Sequence, residues 1–453
     1  MTQTSARPCI GIIGAGLTGL TAAHRLLDAG FDVILLESTL QPGGMVSSLK
    51  IGSEPIENIY HHIFTSDSRV TDLADEMGLS QDLAWYPSRE AVYADGRLYP
   101  FSTPLDLLRF RRISPAQRLK TGLAVLKAGH ISDWQPLESQ TAADWLRRVS
   151  GSQSFERLWK PLLSSKFESE AEHVSAVWIW NKFKLRGHSR ERGSGKSRLG
   201  YMRGGFGTLT DRLADSIRNR GGQFYFGHTA MHIGRETCEH GATKYRVACV
   251  LGDCSTVDFI FDGIIATTSG RQFANIAVGL DLPNDYMKKV RGLRYMADLC
   301  MILRLKRSLS PYYWTTICDD LPFVLAVEHT NLTGTDRYGS HVVYLSRYLD
   351  ASSSLWIQPD GEIFRQFAQG LSRIYPDFNP ADIIDWRLKR TRFAQPVIGC
   401  NYSGRMPELN TPEPGVKLAG LAQIYPEDRG MNYAIRLGED AAEAIARYCR
   451  EET

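Results

Sequence analysis

A chain of 453 residues, 43% of them hydrophobic, can bury a large core in two or three domains, which excludes a disordered polymer. The 53 Lys and Arg against 50 Asp and Glu leave a formal charge of only +3, so no global field argues for nucleic acid. The 8 cysteines form no CxxC pair and no His stands at a metal-ligand spacing from them, and no run approaches the roughly 18 apolar residues of a spanning helix. The expectation is a reduced, cytoplasmic, metal-free protein.

The apolar run Cys9 to Ile13 predicts a strand. It is followed by the turn Gly14-Ala15-Gly16-Leu17-Thr18-Gly19 and a helix with Leu20, Ala23 and Leu27 at helical spacing, with Gly30 where a C-cap would stand. Val33 to Leu36 reads as a buried parallel strand closed by Glu37 and Ser38. This order is the context in which GxGxxG binds a dinucleotide. Gly14 allows the turn, Gly16 lets backbone approach a pyrophosphate, and Gly19 lets the helix pack on the strand. The helix N-terminus then faces the phosphates with free N–H groups. Glu37 can accept both hydroxyls of an adenosine ribose and would repel a 2′-phosphate, so FAD or NAD is favoured over NADP.

Farther on, Tyr60-His61-His62-Ile63-Phe64-Thr65 carries adjacent histidines, of which at most one faces a site. His62 is the better candidate, with core packing as the alternative. Residues 96–199 read as helical, with leucines at 105, 107, 108, 119, 123 and 126 beside a basic cluster of Arg109, Arg111, Arg112, Arg118 and Lys120. That segment suits either domain packing or peripheral contact with an anionic membrane. The run Lys182, Lys184, Arg186, Arg190, Arg192, Lys196 and Arg198 is either a solvated loop or a clamp for an anionic substrate.

Gly204-Gly205-Phe206 then opens an amphipathic helix (Leu209, Leu213, Ile217), a Gly221-Gly222 stop and a strand at Phe224 to Phe226. A strand pair follows at 245–251 and 256–261, and then the run Asp262 to Thr268. Residues 271–390 mix strands with a helix near Ile363 to Ile374. The chain closes with a strand near Val416, a turn, and a helix from about Asn432 to Arg450.

On Gly14 to Glu37, Gly43-Gly44, Gly204-Gly205-Phe206 and the segment Gly420 to Gly438, the sequence resembles the FAD-dependent amine oxidase superfamily, in its protoporphyrinogen oxidase- and desaturase-like branch. The resemblance implies an α/β fold: a Rossmann-like FAD-binding domain of residues 1–95, 200–270 and 391–453, with an inserted mixed α+β substrate domain of residues 96–199 and 271–390. FAD is the implied cofactor. Its implied contacts are Gly14, Ala15, Gly16, Leu17, Thr18, Gly19, Glu37, Ser38, Gly43, Gly44, Met45, Met231, Thr267, Gly420, Leu421, Gly430, Met431 and Asn432.

Two positions depart from the family pattern. Met45 stands where Arg is frequent, and Gly420-Leu421 replaces the GlyAsp that holds the ribityl chain, so Gln423, Asp428 or Arg429 must reach there instead. The His-Ile-Phe run also resembles UDP-galactopyranose mutase. The expected activity is flavin-dependent oxidation of a small anionic substrate, with His62, Tyr425 and Arg429 as candidate catalytic residues. A sugar-nucleotide isomerase and a non-catalytic flavin-binding protein are the alternatives.

Overall fold

The computed structural model describes residues 7–52, 54–188, 198–237 and 243–451, the side chains of 186–188 and 237 apart. The sequence-predicted cations Arg190, Arg192 and Lys196 lie outside the described residues. Cys9–Ile13 (β1) is the middle strand of a five-stranded parallel sheet. Asp32–Glu37 (β2) and Gln223–Phe226 lie to one side of it, Gly263–Ala266 and Val416–Leu418 to the other. Its central strands are apolar in their interiors because both faces are covered. Ile10, Ile12, Val33, Leu35 and Ile265 share a core with the helices Leu17–Asp28 (α1), Gly207–Asn219 and Met431–Glu451. Ile13, Leu36, Ile264 and Ala266 point the other way, into a core built on the antiparallel strands Thr229–Thr237, Thr243–Val250 and Thr256–Phe261. The two cores are divided by the period-two alternation of a strand.

A second, seven-stranded sheet orders Ile383–Pro396, Tyr295–Leu305, His341–Leu349, Leu325–Glu328, Trp314–Ile317, Glu90–Ala94 and Arg97–Pro100. The expected division at 95/96 therefore cuts a hairpin of this sheet, and the one at 390/391 cuts its edge strand. Strand pairing draws both flanks, from Glu90 and up to Pro396, into the inserted region. One face of the sheet is covered by Asp360–Ile374 through Ile363, Phe367 and Leu371. The other face, with Cys300, Ile302, Tyr344 and Tyr348, belongs to the core of the nucleotide-binding half.

The pair Gly204-Gly205 has positive φ at both residues, 79° and 78°, where glycine alone is unstrained. Their turn is held by the fully buried Glu57, which accepts from the Tyr201 hydroxyl at 2.7 Å and from the Phe206 N–H. Burial pushes the Glu57 carboxyl up to about 7, against those two donors. Because the pKa is raised in the fold, the stability contributed by neutral Glu57 is complete below the ordinary carboxyl range and is lost as pH rises through about 7. Glu57→Gln stays neutral. It should therefore gain on the native protein by up to about 3 kcal/mol between roughly pH 4 and pH 8. Melting temperatures across that range check this, and a gap between the two proteins that does not change with pH would contradict it.

Candidate cofactor and active site

At the end of β1 three hydrogen bonds of 2.8 Å donated by backbone N–H groups shape a tight cradle. Gly14 N–H donates to the Leu36 carbonyl, Ala15 N–H to Glu37 Oε2, and Gly43 N–H to the Ala15 carbonyl. Gly16 and Gly43 thus lie side by side as a parallel bridge. A Cβ on Gly14 would meet Thr267 Oγ1 at 2.4 Å, and one on Gly19 would meet the Gly14 carbonyl at 2.1 Å. The protein itself requires those glycines. A Cβ on Gly16 meets nothing nearer than Gly44 Cα at 3.9 Å, so its bare backbone leaves room for a ligand. This fits a dinucleotide pyrophosphate at the N-terminus of α1.

Around the cradle, Glu37 Oε1 accepts from the N–H and hydroxyl of Thr39, and Ser38 Oγ lies at 3.3 Å. The Thr39 hydroxyl also reaches the Gln41 carbonyl at 2.9 Å, so it can release Oε1 to a ribose hydroxyl. Gly227 and His228 donate to Thr39 and Glu37 carbonyls, which brings the exposed Met231 to the same end of the sheet. The Thr267 hydroxyl is spent on the Ile13 and Gly14 carbonyls and backs the turn. The neighbouring Thr268 Oγ1 is buried with no partner among the described residues, an open polar group beside the cradle.

Of the three residues able to stand in for the absent acid, Gln423 is closed on its own turn. Its Oε1 accepts from Gly420 N–H at 2.7 Å and its amide donates to the Pro407 carbonyl. Leu421 begins that same short turn. Asp428 is buried, with Oδ2 2.5 Å from Lys182 Nζ and Oδ1 3.0 Å from Gln395 Nε2. Arg429 remains. Its Nε donates to Gln395 Oε1 at 2.8 Å and its Nη2 to the Tyr348 hydroxyl at 2.6 Å, while Tyr348 and Tyr60 hydroxyls lie 2.8 Å apart.

Lys166, near the end of the helix Lys160–Phe167, places Nζ 4.2 Å from the centre of the Tyr348 ring. Asp298 sits directly opposite Tyr348 in the seven-stranded sheet. Its Oδ1 accepts from Ser346 Oγ at 2.6 Å, and its Oδ2 is buried with no partner among the described residues.

Tyr60, His61, Lys166 and Arg429 each keep partial accessibility, yet desolvation leads the influences on all four. They form a half-buried cluster. Burial, reinforced by the charge of Arg429, pushes the Lys166 ammonium well below its usual range. Burial also opposes the charge on Arg429, but Tyr348, Tyr60, Asp428 and Asp298 outweigh it and raise the guanidinium further. Burial lifts Asp298 to about 6 and lowers His61 to about 4. Asp428 is held below the carboxylate range because Lys182, Lys166 and Arg429 outweigh its burial. The arrangement sets the Arg429 guanidinium beside an amine whose pKa burial lowers.

Among the expected catalytic residues, Arg429 lies in this cluster. His62 instead bonds the Tyr313 hydroxyl through Nδ1 at 3.0 Å and packs edge-on against Phe64, Tyr313 and Trp314. It is His61 that feels Arg429, with Nδ1 2.7 Å from the Ile59 carbonyl. Tyr425 donates to Glu138 at 2.9 Å and packs edge-on against Trp134 and at a tilt against Tyr402, in a cleft of about 350 Å³ shared with Tyr433 and Arg436. Gly430 precedes the C-terminal helix, which begins with Met431 and Asn432 two residues beyond Arg429, and Asn432 Oδ1 accepts from Arg69 N–H. Sequence reasoning missed Lys166, Asp298, Tyr348 and Gln395. One signal was available, a lone acid inside the apolar strand Tyr295–Leu305.

The profile of the flavin-containing amine oxidoreductases matches residues 17–446. The chain belongs to this family, and FAD is its cofactor. It is similar to coproporphyrinogen III oxidase of Staphylococcus aureus (strain NCTC 8325 / PS 47), 24% identical over 315 residues, which cover 62% of this chain and 64% of that protein. The matched stretch thus spans just under two thirds of that relative. In fold it is similar to cyclohexylamine oxidase from Brevibacterium oxydans IH-35A, with TM-score 0.73 and 17% identity over 98% of this chain and 99% of the other. Reduced UDP-galactopyranose mutase gives TM-score 0.71 and 16% identity over 97% and 93%. These likenesses carry the expected α/β fold with its Rossmann-like and substrate halves.

Proposed function

We propose that this protein is an FAD-dependent oxidoreductase that removes a hydride and a proton from a small anionic organic substrate. When bound, FAD supplies the hydride acceptor. Gly14 to Gly19 with Gly43, Gly44 and Met45 would hold its pyrophosphate, Glu37 and Ser38 its ribose, and Met231 its adenine. Thr267, Gly420 and Leu421 would flank its middle, and Gly430 to Asn432 its ring.

The observation that carries the anionic reading is the half-buried Arg429, held charged, with Nη1 making no hydrogen bond among the described residues. It would anchor the anionic group of the substrate, while its charge disfavours a cationic amine in the same space. Lys166, its pKa lowered by burial, would take the proton as the electrons leave. The hydroxyls of Tyr60 and Tyr348 fix the guanidinium and help exclude water.

Coproporphyrinogen III, named as the substrate of the S. aureus relative, is polyanionic, and cyclohexylamine at neutral pH is cationic. Under anaerobic conditions the porphyrinogen should bleach the yellow band, oxygen should restore it, and cyclohexylamine should leave it unchanged. Bleaching by the amine alone would reject the anionic reading. The resemblance of the His62-Ile63-Phe64 run to UDP-galactopyranose mutase, with the likeness in fold, keeps the isomerase reading as the alternative. Turnover seen only after dithionite reduction, with product isomeric to substrate, would replace the oxidoreductase by that reading.

A further inference from the structure

The helices Pro104–Arg109 and Pro115–Gly129 turn their leucines outward. Leu119, Leu123 and Leu126 are 60%, 49% and 61% exposed, and Leu105 and Leu108 are each 50% exposed. On the longer helix the buried residues are Thr121, Ala124 and Ala128. At 3.6 residues per turn, the leucine stripe lies roughly half a turn away from them. Scattered exposed leucines need no explanation; five on one helical hairpin do. Arg118 fixes the hairpin by donating to the Leu108 and Ile113 carbonyls, so the two leucine rows stay side by side.

The charge around this face is one-sided. Arg109, Arg111, Lys120 and Lys127 are exposed and form no ion pair among the described residues. The only acid in 104–130, Asp106, is spent on capping the first helix through the Ser102 and Thr103 N–H groups. On the wheel, Lys120 and Lys127 lie together along one side of the leucine stripe, about a quarter-turn away. A second copy of this face offers those cations no free acid, whereas an anionic lipid surface complements them. No helix among the described residues is long and apolar enough to cross a membrane, so any such contact lies in the interface.

We propose that the leucine face of 104–130, framed by Arg109, Arg111, Lys120 and Lys127, docks this protein on the surface of an anionic phospholipid bilayer. The inference is independent of the reaction proposed above. Its test uses the full, FAD-loaded chain and sedimentation with phosphatidylcholine vesicles, with and without phosphatidylglycerol. The protein should sediment with the anionic vesicles and be released by about 0.5 M salt. Leu119→Gln, Leu123→Gln and Leu126→Gln together should weaken partitioning by about tenfold or more. Replacing the four cations by Gln should remove the preference for phosphatidylglycerol, at about fivefold per charge. Unchanged flavin absorbance and melting temperature show that the variants are folded. Absence from anionic vesicles, or binding that both variants retain, would overturn the proposal. So would a lipid-free dimer dispersed by the leucine substitutions, which would make the face an interface between copies.

Discussion

Gly16→Val should yield a folded but colourless protein that free FAD cannot reconstitute. Gly16 has φ −74° and ψ 176°, backbone that any residue adopts, so a side chain brings no local strain. Its new Cβ would touch only Gly44 Cα, at an ordinary 3.9 Å, so the strand-turn-helix unit can form. What the valine methyls occupy is the space over the turn that the pyrophosphate needs. Gly19→Val is the informative contrast. There the Cβ would lie 2.1 Å from the Gly14 carbonyl, so the turn itself must open and the melting temperature should fall together with colour. Absorbance of released FAD and a thermal melt separate the two cases. A yellow Gly16→Val protein would remove the cradle from the account.

The strands, turn and helices of the nucleotide half were legible because local chemistry dictates them. Cys9 to Ile13, the glycine turn and the Val33 to Leu36 run lie within thirty residues, and each carries its own periodicity. The Gly204-Gly205 turn was legible too, but not its holder Glu57, which arrives from 149 residues away from Phe206. The cluster around Arg429 was illegible for the same reason on a larger scale. Tyr60, Lys166, Asp298, Tyr348, Gln395 and Arg429 meet only once a seven-stranded sheet has set Asp298 opposite Tyr348. Adjacent histidines could not be told apart, because one residue of register decides which ring meets Arg429 and which joins Tyr313 and Trp314. The leucines of Pro115–Gly129 show the limit of periodicity. A stripe at helical spacing reads identically whether it faces core or solvent, and here the small residues Thr121, Ala124 and Ala128 took the inside.

Lys166→Met should slow substrate-driven flavin reduction by about a hundredfold or more, the scale of a lost general base, while leaving FAD content unchanged. The substitution keeps most of the volume beside the Tyr348 ring and removes only the amine. Because burial depresses the Lys166 pKa, the amine is protonated at low pH and becomes a base as pH rises through its lowered value. The native reduction rate should therefore climb with pH, and that limb should vanish in Lys166→Met. Asp298, at about 6, and His61, at about 4, face the same space and could imitate such a limb. Asp298→Asn and His61→Gln are the controls, and each should leave the climb in place. Arg429→Gln should act differently, raising KM by about tenfold or more with a smaller change in the limiting rate, as loss of an anchor for a bound anion does. Lysine at that position should restore binding only in part, since an ammonium cannot hold Gln395 and Tyr348 with the planar fork of a guanidinium. A pH climb that persists in Lys166→Met would assign the proton to another group. A limiting rate that collapses in Arg429→Gln at unchanged KM would move the guanidinium from anchoring the substrate to stabilising the transferred charge.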